Sequence, residues 1–318
     1  MTWCEEQFSA FNERIRLDAT RLARIRGAID HFSTFCSSDE HLKAAGDGAP
    51  FLQGSTATKT VITPLSGDEF DVDVVYPFNL DALHGDKSPP AIVNWFLGRL
   101  KNDAFYRENL IPKDRCARIE YVGDFHLDII PATRALPDHQ PYAVPAKDLG
   151  DWVANDPVGF VNWIEELDHK SNGADHNGDG RFVRSVRYIK RWRDDFFQGE
   201  TAPASILLST FLGKHEPNGN YSPALENPLF PTYATEAAYT YDMLRLTHSC
   251  IQMSSGSAYR HQTLDSDLGR NWREQYEKMF LDRLQTCIDQ LRLAIFAEND
   301  GQALEHYRQA FGDTFPAA

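Results

Sequence analysis

Cysteine is scarce and scattered. Cys4, Cys36, Cys116, Cys250 and Cys287 are the only five in 318 residues, an odd number without any C-x-x-C pair. That spacing argues for reduced thiols and against a disulfide framework or a thiolate zinc site. Nor is there any unbroken stretch of about 18 apolar residues that would cross a bilayer. The N-terminus, with Glu5 and Glu6 close to its start, has no basic region leading into an apolar one. The expectation is a cytoplasmic protein with no membrane partner. Positive charge is in deficit, with 32 Lys and Arg against 46 Asp and Glu and a net charge of −14. Proteins that lie along a phosphate backbone usually display a basic surface, so extended nucleic acid is not expected as a partner. A small anionic substrate stays open where a metal and a few local cations offset the field.

What the sequence does contain centres on Phe70-Asp71-Val72-Asp73-Val74-Val75-Tyr76. Val, Phe and Tyr at this density, between Ser66-Gly67-Asp68 and Pro77, predict a β-strand. Alternation then puts Asp71 and Asp73 on one face and Phe70, Val72 and Val74 on the other. Two carboxylates held this close repel each other unless a cation lies between them, and clustered hard oxygens suit magnesium or manganese. A solvated strand face explains the spacing equally well, and Asp265-Ser266-Asp267 repeats it in a polar stretch.

The length suits two lobes. Residues 5–32 carry Phe8, Phe11, Ile15, Leu22, Ile25 and Ile29 at helical spacing, predicting one or two helices with an arginine-bearing solvated face. Phe51-Leu52-Gln53-Gly54-Ser55 predicts a short strand turning into a helix, whose free amides and Ser hydroxyl can face an anion. Phe70 begins the Asp-x-Asp strand 15 residues after Ser55. A helix is expected over 91–101, opened by Pro89-Pro90. Gly123-Asp124 joins two β-rich runs as a hairpin, with Asp128 alone among apolar neighbours in the second. Residues 131–157, rich in Pro, look like a linker between a first lobe, 1–150, and a second, 151–318.

The second lobe is predicted to be helical, with a Gly/Pro/Asn-rich lid or rim over 213–231. Asp175-His176-Asn177-Gly178-Asp179-Gly180 opens like an EF-hand loop, but Val186 stands where the bidentate Glu must be, so the segment is read as a loop leading to the next helix. The helix from Val183 to Arg193 has five cations in eleven residues. They serve either salt bridges or a triphosphate.

The ordered set Leu52-Gln53-Gly54-Ser55, Asp71-Val72-Asp73, His126-Leu127-Asp128-Ile129-Ile130-Pro131, Arg187-Tyr188-Ile189-Lys190-Arg191-Trp192 and Phe311-Gly312-Asp313-Thr314-Phe315-Pro316 resembles the bacterial CD-NTases. These are the cGAS/DncV-like branch of the DNA polymerase beta-like nucleotidyltransferases. The resemblance implies an α+β fold: a polymerase-beta-like lobe with a mixed sheet, joined to a helical lobe, with the active site in the cleft between them. It implies a metal-dependent enzyme that joins nucleoside triphosphates, ATP and GTP first among them, into a cyclic oligonucleotide for anti-phage signalling through a downstream effector.

It further implies that Asp71, Asp73 and Asp128 are catalytic and hold two Mg2+, with Mn2+ as a substitute. Gln53, Gly54, Ser55, Lys190 and Ser205 would bind the nucleotide. Relatives suggest two kinds of partner, a HORMA-type activator or a ubiquitin-transfer-like ligase acting on an exposed Pro316-Ala317-Ala318 tail. Tyr221, Tyr233, Tyr239, Tyr241 and Tyr259 include candidates for stacking on a base. Three alternatives remain: an Asp-x-Asp glycosyltransferase, a nucleotidyltransferase acting on protein, tRNA or a small molecule, and a non-catalytic nucleotide-binding scaffold.

Overall fold

The computed structural model of the chain describes residues 2–65, 68–139, 141–171, 173–197, 202–214, 235–253 and 274–317. Helix α1 (Trp3–Ile15) is followed by α2 (Ala19–Ser38) and α3 (Glu40–Ala45). Next come β1 (Phe51–Gln53), the one-turn α4 (Gly54–Ala57) and β2 (Phe70–Phe78). After α5 (Pro89–Leu100) and α6 (Ala104–Asn109) the chain forms β3 (Leu110–Pro112), β4 (Ala117–Tyr121), β5 (Phe125–Thr133), β6 (Tyr142–Ala146) and β7 (Asp151–Asn155). The remaining described elements are helices: α7 (Pro157–Lys170), α8 (Arg181–Phe196), α9 (Ser205–Lys214), α10 (Glu236–Met253), α11 (Glu274–Ile295) and α12 (Asp300–Phe311). The chain is therefore α+β, as expected. Among the described residues no helix is long and apolar enough to cross a membrane.

Two compact units are present. The sheet unit comprises Leu17–Thr58 and Pro64–Val161; the helical unit comprises Met1–Arg16, Lys59–Thr63 and Asn162–Ala318. A single cut near residue 150 does not reproduce this division, because the N-terminal helix belongs with the later helices. Its aromatic stripe decides the matter: Phe11 stacks on Tyr188 of α8 at 5.1 Å between ring centroids. Phe8 meets Tyr307 at 5.2 Å and Phe315 at 5.3 Å. Fully buried aromatic pairs of this kind add stability beyond the area they bury. They also anchor the C-terminal segment, so Pro316, expected in an exposed tail, is buried.

The sheet runs β1-β2-β5-β4-β3, with β6 continuing from β5 to β7. Among the described strands β2 and β5 pair in parallel and the other pairings are antiparallel. Val72, Val74, Leu127 and Ile129 are wholly buried on one face. On that side Tyr76 stacks against Phe96 of α5 at 5.4 Å and meets Phe32 of α2 at 6.2 Å. Its hydroxyl donates to the Leu42 carbonyl at 2.6 Å, satisfying the one polar atom the ring carries inward.

Residues 131–157 are not a linker. Tyr142–Ala146 is buried throughout, and β6 and β7 form an antiparallel pair that extends the sheet. The apolar run outweighs the prolines because Pro131 and Pro145 sit within strands whose side chains are buried. None of the five cysteines is in a disulfide. Burial pushes the Cys4 and Cys250 thiols up to about 11, so both stay protonated and inert.

Candidate active site on the β2–β5 carboxylate face

The strand alternation read from the sequence is realised. β2 and β5 run parallel in a register that sets Asp73 beside Asp128 and Asp71 beside His126. On the other side of β2, Gln53 lies opposite Asp73. Six residues expected at the site, Gln53, Gly54, Ser55, Asp71, Asp73 and Asp128, thus belong to four adjoining elements of the sheet unit, β1, α4, β2 and β5. Gly54 has φ +65, the left-handed region that glycine enters without strain. A Cβ placed on it would stand 2.3 Å from Asp73 Oδ2. The β1–α4 turn therefore abuts the carboxylate directly, and only a residue without a side chain allows that approach.

Two further residues complete the cluster. Arg118 on β4 donates from Nε to Asp128 Oδ1 at 2.8 Å and from Nη2 to Asp128 Oδ2 at 2.7 Å. The same Nη2 lies 2.8 Å from Asp71 Oδ1. His126 Nε2 is 2.7 Å from Glu69 Oε2, and its Nδ1 is 3.5 Å from Asp71 Oδ1. The hydrogen bonds to Asp128, and then the charges of Asp128 and Asp71, hold the Arg118 guanidinium above its ordinary value, so it is always a cation. Sequence reasoning missed Arg118, although the hairpin already located contains the signal. With Tyr121 opposite Phe125, counting back in antiparallel register puts Arg118 opposite Asp128.

The residue types suit a divalent metal. The donor set is hard carboxylate oxygen on one sheet face, which matches Mg2+ or Mn2+, and the cluster already gathers a positive charge to itself through Arg118. Among the described residues, however, no three His, Cys, Asp or Glu side chains converge as a ready cage. The Arg118 guanidinium lies in contact with both Asp71 and Asp128.

Lys190 and Ser205 belong to the helical unit. Lys190 is 2% exposed, and its ammonium donates to the Thr60 carbonyl at 2.9 Å and Thr60 Oγ1 at 3.2 Å. The Ser205 hydroxyl accepts from Arg193 Nη1 at 2.9 Å. Other cations of α8 are likewise engaged. Arg184 forms a forked pair with the buried Glu236 at 2.8 and 2.7 Å. Arg187 reaches Asp179 at 2.7 Å and the Lys59 carbonyl at 2.8 Å, and Arg191 donates to the Thr63 carbonyl. Arg184 and Arg187 thus pair with carboxylates, while Arg187, Lys190 and Arg191 also grip the 59–63 strap through its oxygens.

Asp175 Oδ1 accepts from the amides of Asn177 and Asp179, which closes a turn ahead of α8. Tyr239 and Tyr241 are buried and offer no open ring face; Tyr221, Tyr233, Tyr259, Asp265-Ser266-Asp267 and the 213–231 loop, apart from its first two residues, lie outside the described residues.

A prediction follows from Lys190. Lys190→Met should cost roughly 1–3 kcal/mol, because the Thr60 oxygens lose a buried donor. Thermal unfolding at neutral pH checks it. An unchanged melting temperature with a weakened nucleotide KM would instead assign the ammonium to substrate.

Comparison with known proteins adds what geometry alone does not. The profile of one family, described as Second Messenger Oligonucleotide or Dinucleotide Synthetase domain, matches residues 1–168. A c-di-GMP synthase of Roseivirga ehrenbergii is 28% identical over 230 residues, 67% of this chain and 61% of that relative's length. The CD-NTase CdnG of Bradyrhizobium diazoefficiens, solved in complex with GTP, superposes with a TM-score of 0.72 at 18% identity, covering 98% of this chain and 96% of that one. CdnC of E. coli MS115-1, solved in a complex with HORMA-deltaN, gives a TM-score of 0.71 at 16% identity and covers 99% of both chains.

Proposed function

We propose, from the premise that this chain belongs to the second messenger oligonucleotide or dinucleotide synthetase family and is a bacterial CD-NTase, that it joins nucleoside triphosphates into a cyclic di- or trinucleotide. One observation carries this: Asp73 and Asp128 stand side by side on parallel strands, with Asp71 on the same face and the Gly54 turn against Asp73. A glycosyltransferase needs an Asp-x-Asp pair alone. It requires neither the third strand carboxylate nor a backbone turn packed on the pair.

In this chemistry a ribose hydroxyl oxygen forms a bond to the α-phosphorus of a second nucleotide, and the bond from that phosphorus to the bridging oxygen of pyrophosphate breaks. Two divalent ions, Mg2+ by preference, supply charge neutralisation at the entering and leaving oxygens when bound. Asp71, Asp73 and Asp128 are the residues that would hold them. The Gly54 and Ser55 amides and the Ser55 hydroxyl face the donor triphosphate, with Gln53 beside them. Asp128 is the candidate to accept the proton from the attacking hydroxyl, directly or through a water. A second round on the linear intermediate closes the ring. The −14 net charge repels free nucleotide, so strong dependence on Mg2+ follows, because nucleotides then arrive already partly neutralised.

ATP and GTP are the substrates expected first, given a relative solved with GTP and another named for c-di-GMP. A HORMA-type protein is the activating partner to test, since CdnC was solved with one. The product would act through a separate effector in the cytoplasm, in an anti-phage role. Incubation of the purified chain with each nucleoside triphosphate and their mixtures in Mg2+, read by mass spectrometry after phosphatase treatment, tests the proposal. A phosphatase-resistant cyclic product that disappears in Asp71→Ala is expected. A linear or protein-linked product would move the assignment to the transferases that modify other molecules, and nucleotide binding without turnover, with a HORMA-type partner present, would support the scaffold.

A further inference from the structure

The guanidinium of Arg118 is placed where a cation is needed and where a second cation is not wanted. Its fork is committed to Asp128, because β4 and β5 pair in a register that sets the two residues opposite each other. Both Asp128 oxygens are taken, at 2.8 and 2.7 Å. The reach to Asp71 is a different kind of contact: one nitrogen, already shared, at 2.8 Å from a carboxylate that is 54% exposed. Asp128 is 12% exposed by the same measure and Arg118 21%. The grip on Asp128 is therefore buried, bidentate and fixed by strand register, whereas the arm on Asp71 is single and solvated.

We propose that Arg118 is a positioning residue that acts as an internal counter-cation. It bridges Asp71 and Asp128 in the metal-free chain, and it must release Asp71, while keeping Asp128, before a divalent cation can be held by the carboxylates. The proposal rests on the carboxylate face being the metal site. It gives a role to a guanidinium forked into an otherwise suitable donor set. Without Arg118, clustered carboxylates on a chain of net charge −14 would repel one another on folding. With it, the site is neutralised in advance, and every entering cation competes with a guanidinium that never loses its proton. Lysine would not serve both carboxylates, since a point charge cannot fork across Asp128 and reach Asp71 together.

The test is Mn2+ binding to the purified full chain without nucleotide, followed by the paramagnetic resonance signal of free Mn2+, together with thermal unfolding in chelator and in Mn2+. Arg118→Gln should tighten the Mn2+ Kd by about tenfold or more, since a positive charge a few ångströms from the bound ion is removed. The same variant should melt lower than the parent in chelator and gain more from Mn2+. Arg118→Lys, which keeps the charge but loses the fork, should fall between the two, and it carries the test if the glutamine variant does not fold.

Mn2+ affinity unchanged or weakened in Arg118→Gln, with the parent binding Mn2+ in a manner lost in Asp73→Asn, would overturn the counter-cation role and leave the metal site standing. Failure of the parent and of both Arg118 variants to bind Mn2+ would sink the metal-site assignment and the inference with it.

Discussion

Asp73→Asn abolishes phosphodiester formation, with a loss on the order of a thousandfold or more, while the protein folds as before. The substitution keeps the size and one oxygen of the side chain and removes only its charge. Asp73 is the triad member with the most neighbours of consequence: Asp128 beside it across the parallel pair, Gln53 opposite it on β1, and the Gly54 turn against its carboxylate. Like charges directly adjacent across strands destabilise a sheet. Removing one of them should leave the melting temperature of the metal-free protein unchanged or raised, as happens where a chain carries charge for chemistry rather than for stability. Product formation and unfolding measured on the same preparation check both halves. A fall in melting temperature beyond about 5 °C would mark Asp73 as a structural carboxylate instead.

The features on which this depends differ in how visible they are before folding. Asp71 and Asp73 share a face because strands alternate with period two, and Val72 and Val74 opposite them are wholly buried, as that alternation requires. The hairpin at Gly123 is equally local: a glycine with φ +76 between two β-rich runs. The adjacency of Asp73 and Asp128 is another matter. It depends on β2 and β5 pairing in parallel after the chain has passed through α5, α6, β3 and β4, and nothing within either strand fixes that register. The resemblance to a family supplied it.

Lys190 shows the limit from the other side. The helical period correctly buries Val183, Val186, Ile189 and Trp192, but the same helix also buries Arg184, Arg187, Lys190 and Arg191, each against a partner remote in sequence. Periodicity identifies the apolar stripe of a helix and is silent on whether its polar flank meets water or protein. The membership of residues 1–16 and 59–63 in the helical unit is hidden for the same reason. It is decided by Phe8 and Phe11 against rings nearly two hundred or more positions away, and by carbonyls of the 59–63 strap that accept from α8.

Gly54→Ala tests the same carboxylate through the backbone packed against it, without touching its charge. The new methyl group would stand 2.3 Å from Asp73 Oδ2 and 3.2 Å from its Cγ, with no backbone atom among its nearest contacts. The sheet therefore need not move; the carboxylate does. Added to this is the strain of a left-handed backbone at φ +65, about 1 kcal/mol for a residue with a Cβ. Gly150→Ala isolates that second contribution. Gly150 also has φ +65, yet a Cβ there meets nothing within 4 Å. Both alanine variants should lose a similar small amount of stability in denaturant unfolding. Gly150→Ala should retain near-parental synthesis, and Gly54→Ala should lose about a hundredfold or more, because displacing a reacting-centre group by an ångström costs that much. Ser55→Ala, which removes a single hydroxyl donor, should cost about tenfold. Equal activity in Gly54→Ala and Gly150→Ala would mean that the turn is only a turn, and that Asp73 does its work without the support of the backbone packed against it.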